Sequence, residues 1–149
     1  MEIILAENHG FCYGVKRAVE MANEAAEGKG KSYTLGPIIH NPQVVGRLES
    51  KGVSPIQEVA DIDEGTMIIR SHGVGPAIYA EAEEKGLHIL DATCPHVKKA
   101  QQDAKSVIED GMTLVILGEK NHPEVKSINL WANKKGIIIE DEEIGRAHV

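Results

Sequence analysis

Gly10-Phe11-Cys12-Tyr13-Gly14-Val15-Lys16-Arg17-Ala18 is the stretch on which the reading of the fold turns. Its pattern, C-x-x-V-K-[RK]-A, returns as Cys94-Pro95-His96-Val97-Lys98-Lys99-Ala100, an offset of 82 residues (12 to 94). The chain has 2 cysteines, and both head this motif. The same offset carries Leu35-Gly36 onto Leu117-Gly118 and His40 onto His122. A proline and a valine follow each histidine, in Asn41-Pro42-Gln43-Val44 and in Pro123-Glu124-Val125. Cysteine, glycine and histidine held in one register mark an internal duplication of about 80 residues, closer to a small domain than to a solenoid unit.

Outward from the motif, strands alternate with helices. Glu2–Ala6 is a short β-branched run and reads as a buried strand. The turn that carries Cys12 leads into a helix over 15–27, ended by Gly28 and Gly30. Strand 32–35, a loop through His40, a helix opening at Pro42 and a strand over 66–70 follow. Ser71-His72-Gly73 then joins a helix over 77–85, and strand 88–90 runs into Asp91-Ala92-Thr93-Cys94-Pro95. The second copy supplies helix 97–109, strand 113–117, helix 123–131 and strand 137–139. Such alternation across short loops predicts an α/β fold with parallel sheets and functional loops at the strands' carboxyl ends. Cys12, His40, His72, Cys94 and His122 all fall at such ends.

The duplication divides the chain into a first α/β unit, residues 1–92, and an incomplete second unit, residues 93–149. The second copy stops in the middle of the repeat, near Glu140-Asp141-Glu142-Glu143, so a truncated chain is expected. By the repeat's logic strand 2–6 closes a unit that lies outside this sequence.

Bulk composition narrows the function. The sequence has 149 residues and a net charge of −7, without the basic stripe of a general nucleic-acid binder. Aromatics are 3% of residues, so the core is aliphatic. No apolar run reaches the ~20 residues of a membrane span, and no signal-peptide pattern opens the chain. A cytoplasmic setting follows, in which cysteines serve more often as ligands or catalysts than as disulfide partners.

Two cysteines do not close a metal site, and their spacing is unlike that of local zinc motifs. A strand–cysteine–helix unit repeated three times would suit an iron–sulfur cluster held by three thiolates, with one iron left open. Spacing alone leaves that reading level with two structural thiols. His40, His72 and His122 occupy loops beside glycine or proline. They read either as an anion pocket assisted by helix-start amides or as exposed loop histidines. His9, His88, His96 and His148 have no such support and read as structural. Glu124, in a first helical turn, either offsets the helix dipole or donates a proton into the same pocket. Lys16, Arg17, Lys98 and Lys99 are expected on solvated helix faces.

Taken together, Gly10-Phe11-Cys12 through Val19, Ile39-His40-Asn41, Ser71-His72-Gly73-Val74, Asp91-Ala92-Thr93-Cys94-Pro95 and His122-Pro123-Glu124-Val125 resemble the 4-hydroxy-3-methylbut-2-enyl diphosphate reductase (IspH/LytB) family. The resemblance spans nearly the whole chain. It implies three similar α/β domains around a central 4Fe-4S cluster, with Cys12 and Cys94 as two of three ligands. It also implies that His40, His72 and His122 surround the substrate diphosphate and that Glu124 relays protons to the leaving hydroxyl. The reaction implied is reductive dehydroxylation of the allylic diphosphate to isopentenyl and dimethylallyl diphosphate, with electrons delivered singly by ferredoxin or flavodoxin. The family's third cysteine, a threonine near the substrate and its Ser/Asn diphosphate ligands belong to a part that follows the stretches matched here. The competing function is a non-catalytic metal- or phosphate-binding fragment.

Overall fold

In the computed structural model, residues 2–7, 9–28 and 30–141 are described. Expectations for Glu142, Glu143 and His148 lie outside them. The first elements are α1 (Tyr13–Glu27), β1 (Ser32–Leu35), α2 (Pro42–Glu49), β2 (Val53–Ile56), β3 (Thr66–Ile69), α3 (Pro76–Glu84) and β4 (His88–Asp91). A 3-10 turn at Val59–Asp61 joins β2 to β3. The remainder comprises α4 (Pro95–Glu109), β5 (Val115–Leu117), α5 (Pro123–Trp131) and β6 (Ile137–Ile139).

Four strands form one parallel sheet in the order β2-β1-β3-β4. The central strand β3 explains why it is central: Met67, Ile68 and Ile69 are all fully buried, a continuous apolar run covered on both sides. Alternation along the strand sends Ile68 to one face, with Ala18 and Ala22 of α1 and Val44 and Leu48 of α2. Met67 and Ile69 face the other way, toward Ala82 of α3, Val59 and Leu87. Burying side chains of this kind stabilises by about 1.5–3 kcal/mol each. Strands β5 and β6 form a second parallel pair, register Val115↔Ile137 to Leu117↔Ile139. Helix α4 packs along α5 and carries a buried stripe of Val97, Gln101 and Ala104.

The parallel α/β architecture agrees with the sequence reading, and several details depart from it, α1 opening two residues early at Tyr13 and β5 two residues late at Val115 among them. Residues 2–6 form no strand: they are coil, and Ile3, Ile4 and Leu5 are 74–82% exposed. A strand exists through its ladder of hydrogen bonds, and none of the described strands pairs with this segment. Cys12 therefore precedes a helix but does not follow a strand. Strand β2 is unexpected because Pro55 breaks the pattern of a four-residue run; it is tolerated because β2 lies at the sheet edge. Helices α3 and α4 begin one or two residues early, since Pro76 and Pro95 occupy their first turns.

Candidate functional site

Three histidines from three different loops meet. His40 lies after β1, His72 after β3 and His122 after β5. The His40 and His72 rings are 4.8 Å apart between centroids, and those of His72 and His122 are 5.7 Å apart. His72 is the middle member, and its Nδ1 is buried without a hydrogen-bond partner. Burial, with further contributions from Arg70, His40 and His122, pushes the His72 pKa down to about 4. The ring is therefore neutral at pH 7. His122 is the N-cap of α5, and its Nδ1 accepts from the Glu124 backbone N–H at 3.2 Å. That bond leaves the proton of a neutral His122 on Nε2, free to donate. Glu124 itself is half-buried in the first turn of α5.

The two cysteines are N-cap residues, Cys12 of α1 and Cys94 of α4, and neither thiol makes a capping bond. Both are free, Cys12 exposed and Cys94 half-buried. The turns approach closely: a Cβ added to Gly14 would lie 2.5 Å from Cys94 Sγ. Glycine at position 14 is what lets the Cys94 side chain rest on the first turn of α1. The Cys94 backbone N–H donates to the Ser71 carbonyl at 2.9 Å, tying the cysteine turn to the His72 loop. A cavity of about 240 Å³ opens between Phe11, Val15, His40 and His72, so the Cys12 turn and two of the histidines share one wall.

The implied iron–sulfur group can be tested against this arrangement. Two uncapped thiols at neighbouring helix starts, with Cys94 resting on Gly14 two residues after Cys12, suit two thiolate ligands of one anionic group. Among the described residues, no group of three or more His, Cys, Asp or Glu side chains is placed to hold a metal ion. With 2 cysteines in the whole sequence, this chain fits as a partial donor set.

Several positioning residues were not visible as such in the sequence. The Asp91 carboxylate takes Lys98 Nζ at 2.6 Å and Tyr79 Oη at 3.1 Å, and its other oxygen takes the Thr93 N–H at 3.0 Å. Burial alone would raise the Asp91 pKa, but the bonds from Lys98 and Thr93 outweigh it and hold the carboxyl below its ordinary value. Burial, then the Asp91 charge, pushes the Tyr79 phenol up to about 12. Arg17 donates to the carbonyls of Thr93 and Asp91 at 3.2 and 3.4 Å. Arg17 and Lys98 are thus not simply solvated, as expected, but clamp the turn before Cys94. Lys16 and Lys99 do lie outside, paired with Glu20 and Asp103 one helical turn on.

The His72 loop is gripped from α4 and α5. Ser127 Oγ donates to the His72 carbonyl at 2.8 Å and receives Gln101 Nε2 at 3.2 Å. Trp131 Nε1 donates to the Val74 carbonyl at 2.9 Å. Gly73 has φ +70°, and a Cβ there would overlap the Gln101 amide and press on Thr93. The available signal was Gln101 itself, an amide in a helical stripe otherwise made of Val97 and Ala104.

The family model described as LytB protein matches residues 3–148. A 4-hydroxy-3-methylbut-2-enyl diphosphate reductase of Geobacter metallireducens is 52% identical over 143 residues, covering 96% of this chain and 51% of the relative. The solved structure of (E)-4-hydroxy-3-methyl-but-2-enyl diphosphate reductase, terminal enzyme of the non-mevalonate pathway, superposes with TM-score 0.83 at 48% identity, over 97% of this chain and 53% of its own. The Plasmodium falciparum E-1-hydroxy-2-methyl-but-2-enyl-4-diphosphate reductase superposes with TM-score 0.88 at 32% identity, over 93% and 44%. This chain spans about half the length of the curated relatives it matches. Among the described residues, no helix is long and apolar enough to cross a membrane.

Proposed function

The chain belongs to the LytB family, and from that premise we propose that it supplies about half of a reductase site for 4-hydroxy-3-methylbut-2-enyl diphosphate. The observation that carries this reading is the meeting of His40, His72 and His122 beside two adjoining, uncapped cysteine turns. Cys12 and Cys94 would hold a 4Fe-4S cluster, with a third thiolate from outside these 149 residues. When bound, that group supplies reducing equivalents one at a time. A cytoplasmic setting, with ferredoxin or flavodoxin as electron donor, keeps both thiols reduced.

The histidines bind the diphosphate. His122 offers its Nε2–H, and His72 enters as a neutral ring whose buried, unpartnered Nδ1 gains a partner on binding. An anion beside His72 works against the burial and the Arg70 charge that hold its pKa down, so binding favours a proton on that ring. The net change replaces a C–O bond by a C–H bond, consumes two electrons and two protons and releases water. Glu124, on the turn that carries His122, delivers the proton to the leaving hydroxyl. Residues 1–92 and 93–149 act as two lobes of this site.

The test is a chimera in which this chain replaces the matched half of the Geobacter metallireducens relative. Iron, acid-labile sulfide and reductase turnover are then measured anaerobically. The reading expects a loaded cluster and turnover, both lost in Cys12→Ser and Cys94→Ser. A folded chimera that loads a cluster but does not turn over favours a metal-binding fragment. One that loads no iron overturns the proposal.

A further inference from the structure

His40 and His72 line the cavity they share with Phe11 and Val15, on the α1 side of the sheet's carboxyl edge. The same edge has a second cavity on the α3 side, of about 360 Å³, where Gln57, Arg70, Asn121 and Lys126 stand beside an apolar wall that includes Ile78 and Leu130. That volume is within the range of small-molecule sites. Its place in the fold is the one where open α/β sheets bind ligands. In the order β2-β1-β3-β4 the chain direction across the sheet switches between β1 and β3. Gly36 directly follows β1 and Arg70 directly follows β3.

Charge is the second observation. The protein carries a net charge of −7, with 23 acidic residues. Yet among the described residues neither Arg70 nor Lys126 has a carboxylate partner, and no acidic side chain lines the cavity. Arg70 Nε is buried with no hydrogen-bond partner. Burial lowers the Arg70 pKa, but a guanidinium remains charged at neutral pH. Arg70 as a whole is half-buried, and an unpaired cation that loses part of its hydration is costly; the fold retains it where a carboxylate could have been placed. Space has been kept for it as well: Gly36 has φ +70°, and a Cβ there would come within 3.0 Å of the Arg70 guanidinium. The starts of α3 and α5, at Gly75 and Pro123, add the positive ends of two helix dipoles to the same wall.

We propose that this cavity is a second anion site, which takes a phosphate-bearing small molecule between Arg70 and Lys126. Arg70 presents a planar fork to two phosphate oxygens and Lys126 a point charge to a third. The site does not depend on the reductase reading: its lining includes neither His40 nor His72, which line the other cavity, although the start of α5 that borders it also carries His122.

The test titrates inorganic phosphate into the 149-residue chain and follows backbone amide resonances. Saturable shifts are expected at Gly36, Arg70, Gly73 to Gly75 and Lys126, with affinity about tenfold weaker in Lys126→Gln, the loss of one charge-assisted contact. Arg70→Gln is expected to abolish saturation. Lys126 is exposed, so its variant folds and carries the test should Arg70→Gln not fold. His40→Asn, in the other cavity, should leave these shifts unchanged. Shifts that do not saturate, or that vanish with His40→Asn but survive Lys126→Gln, overturn the proposal.

Discussion

The two copies of the cysteine motif share a sequence pattern and differ in how firmly they are held. Before Cys94, Asp91 gathers Lys98, Tyr79 and the Thr93 amide, and Arg17 reaches across to the carbonyls of the same turn. The equivalent of Asp91 in the first copy is His9, whose ring makes one local contact, to the Ala6 carbonyl at 2.8 Å. Strand β4 pairs with β3 and delivers Cys94 to a fixed place, whereas residues 2–6 pair with nothing described and leave Cys12 exposed. The motif encodes a helix start with a thiol at its head. Preorganisation comes from the strand before it.

The largest effect should come from removing the post of the well-held turn. Asp91→Ala strands Lys98 and Tyr79 beside a half-buried space and frees the Thr93 amide. A loss of about 3 kcal/mol in urea unfolding is expected, against less than about 0.5 kcal/mol for His9→Ala at its exposed counterpart. Equal losses would show that the two turns are held alike.

Next in size is the grip on the His72 loop. Ser127→Ala leaves the His72 carbonyl and the Gln101 amide without their shared partner inside a buried contact. The expected cost is about 1–3 kcal/mol, with faster hydrogen exchange at Gly73 and Val74. Ser127→Thr, which retains the hydroxyl, should recover part of it. Unchanged exchange in Ser127→Ala would mean that Trp131 alone fixes the loop.

These two sites also show what the sequence displayed and what it hid. The register of Cys12 with Cys94 and of His40 with His122 was enough to reveal the duplication, the alternating elements and the histidine loops. Those features are local: glycine and proline punctuation, and apolar runs such as Met67-Ile68-Ile69. Contacts between distant segments were hidden. Arg17 looks like any cation on a helix until β4 brings the Asp91 carbonyl to it. Pro55 hides β2 because only the finished sheet shows that the strand lies at an edge. The failed strand at residues 2–6 is the converse case: its β-branched residues satisfy the local rule, but a strand needs a partner that no local rule supplies.

A pH titration sharpens the comparison at the junction of the two copies, where His72 stands between His40 and His122. The folded His72 has a pKa of about 4 against 6.5 when unfolded, so the unfolded chain binds the extra proton between those values. Stability from this ring is complete above pH 6.5 and is lost as pH falls toward 4. Part of the ring meets solvent, so the loss is on the order of 1–2 kcal/mol. Urea midpoints between pH 4 and 7 measure it, and His72→Asn should flatten that slope. A slope that survives the substitution would place the titrating group elsewhere, with His40 and His122 the next to replace.

The smallest effect concerns the thiols. Alkylation by iodoacetamide should modify Cys12 faster than Cys94, because Cys12 is exposed and Cys94 rests on Gly14. Gly14→Ala tests the contact from the other side. Alanine favours the helix by up to about 1 kcal/mol, but its methyl group meets Cys94 Sγ at 2.5 Å and must push it away. Net stability should move little, while Cys94 alkylation rises toward the rate of Cys12. If the two rates stay apart in Gly14→Ala, Cys94 is shielded by its own turn, and the difference between the copies lies wholly in the strand that precedes each cysteine.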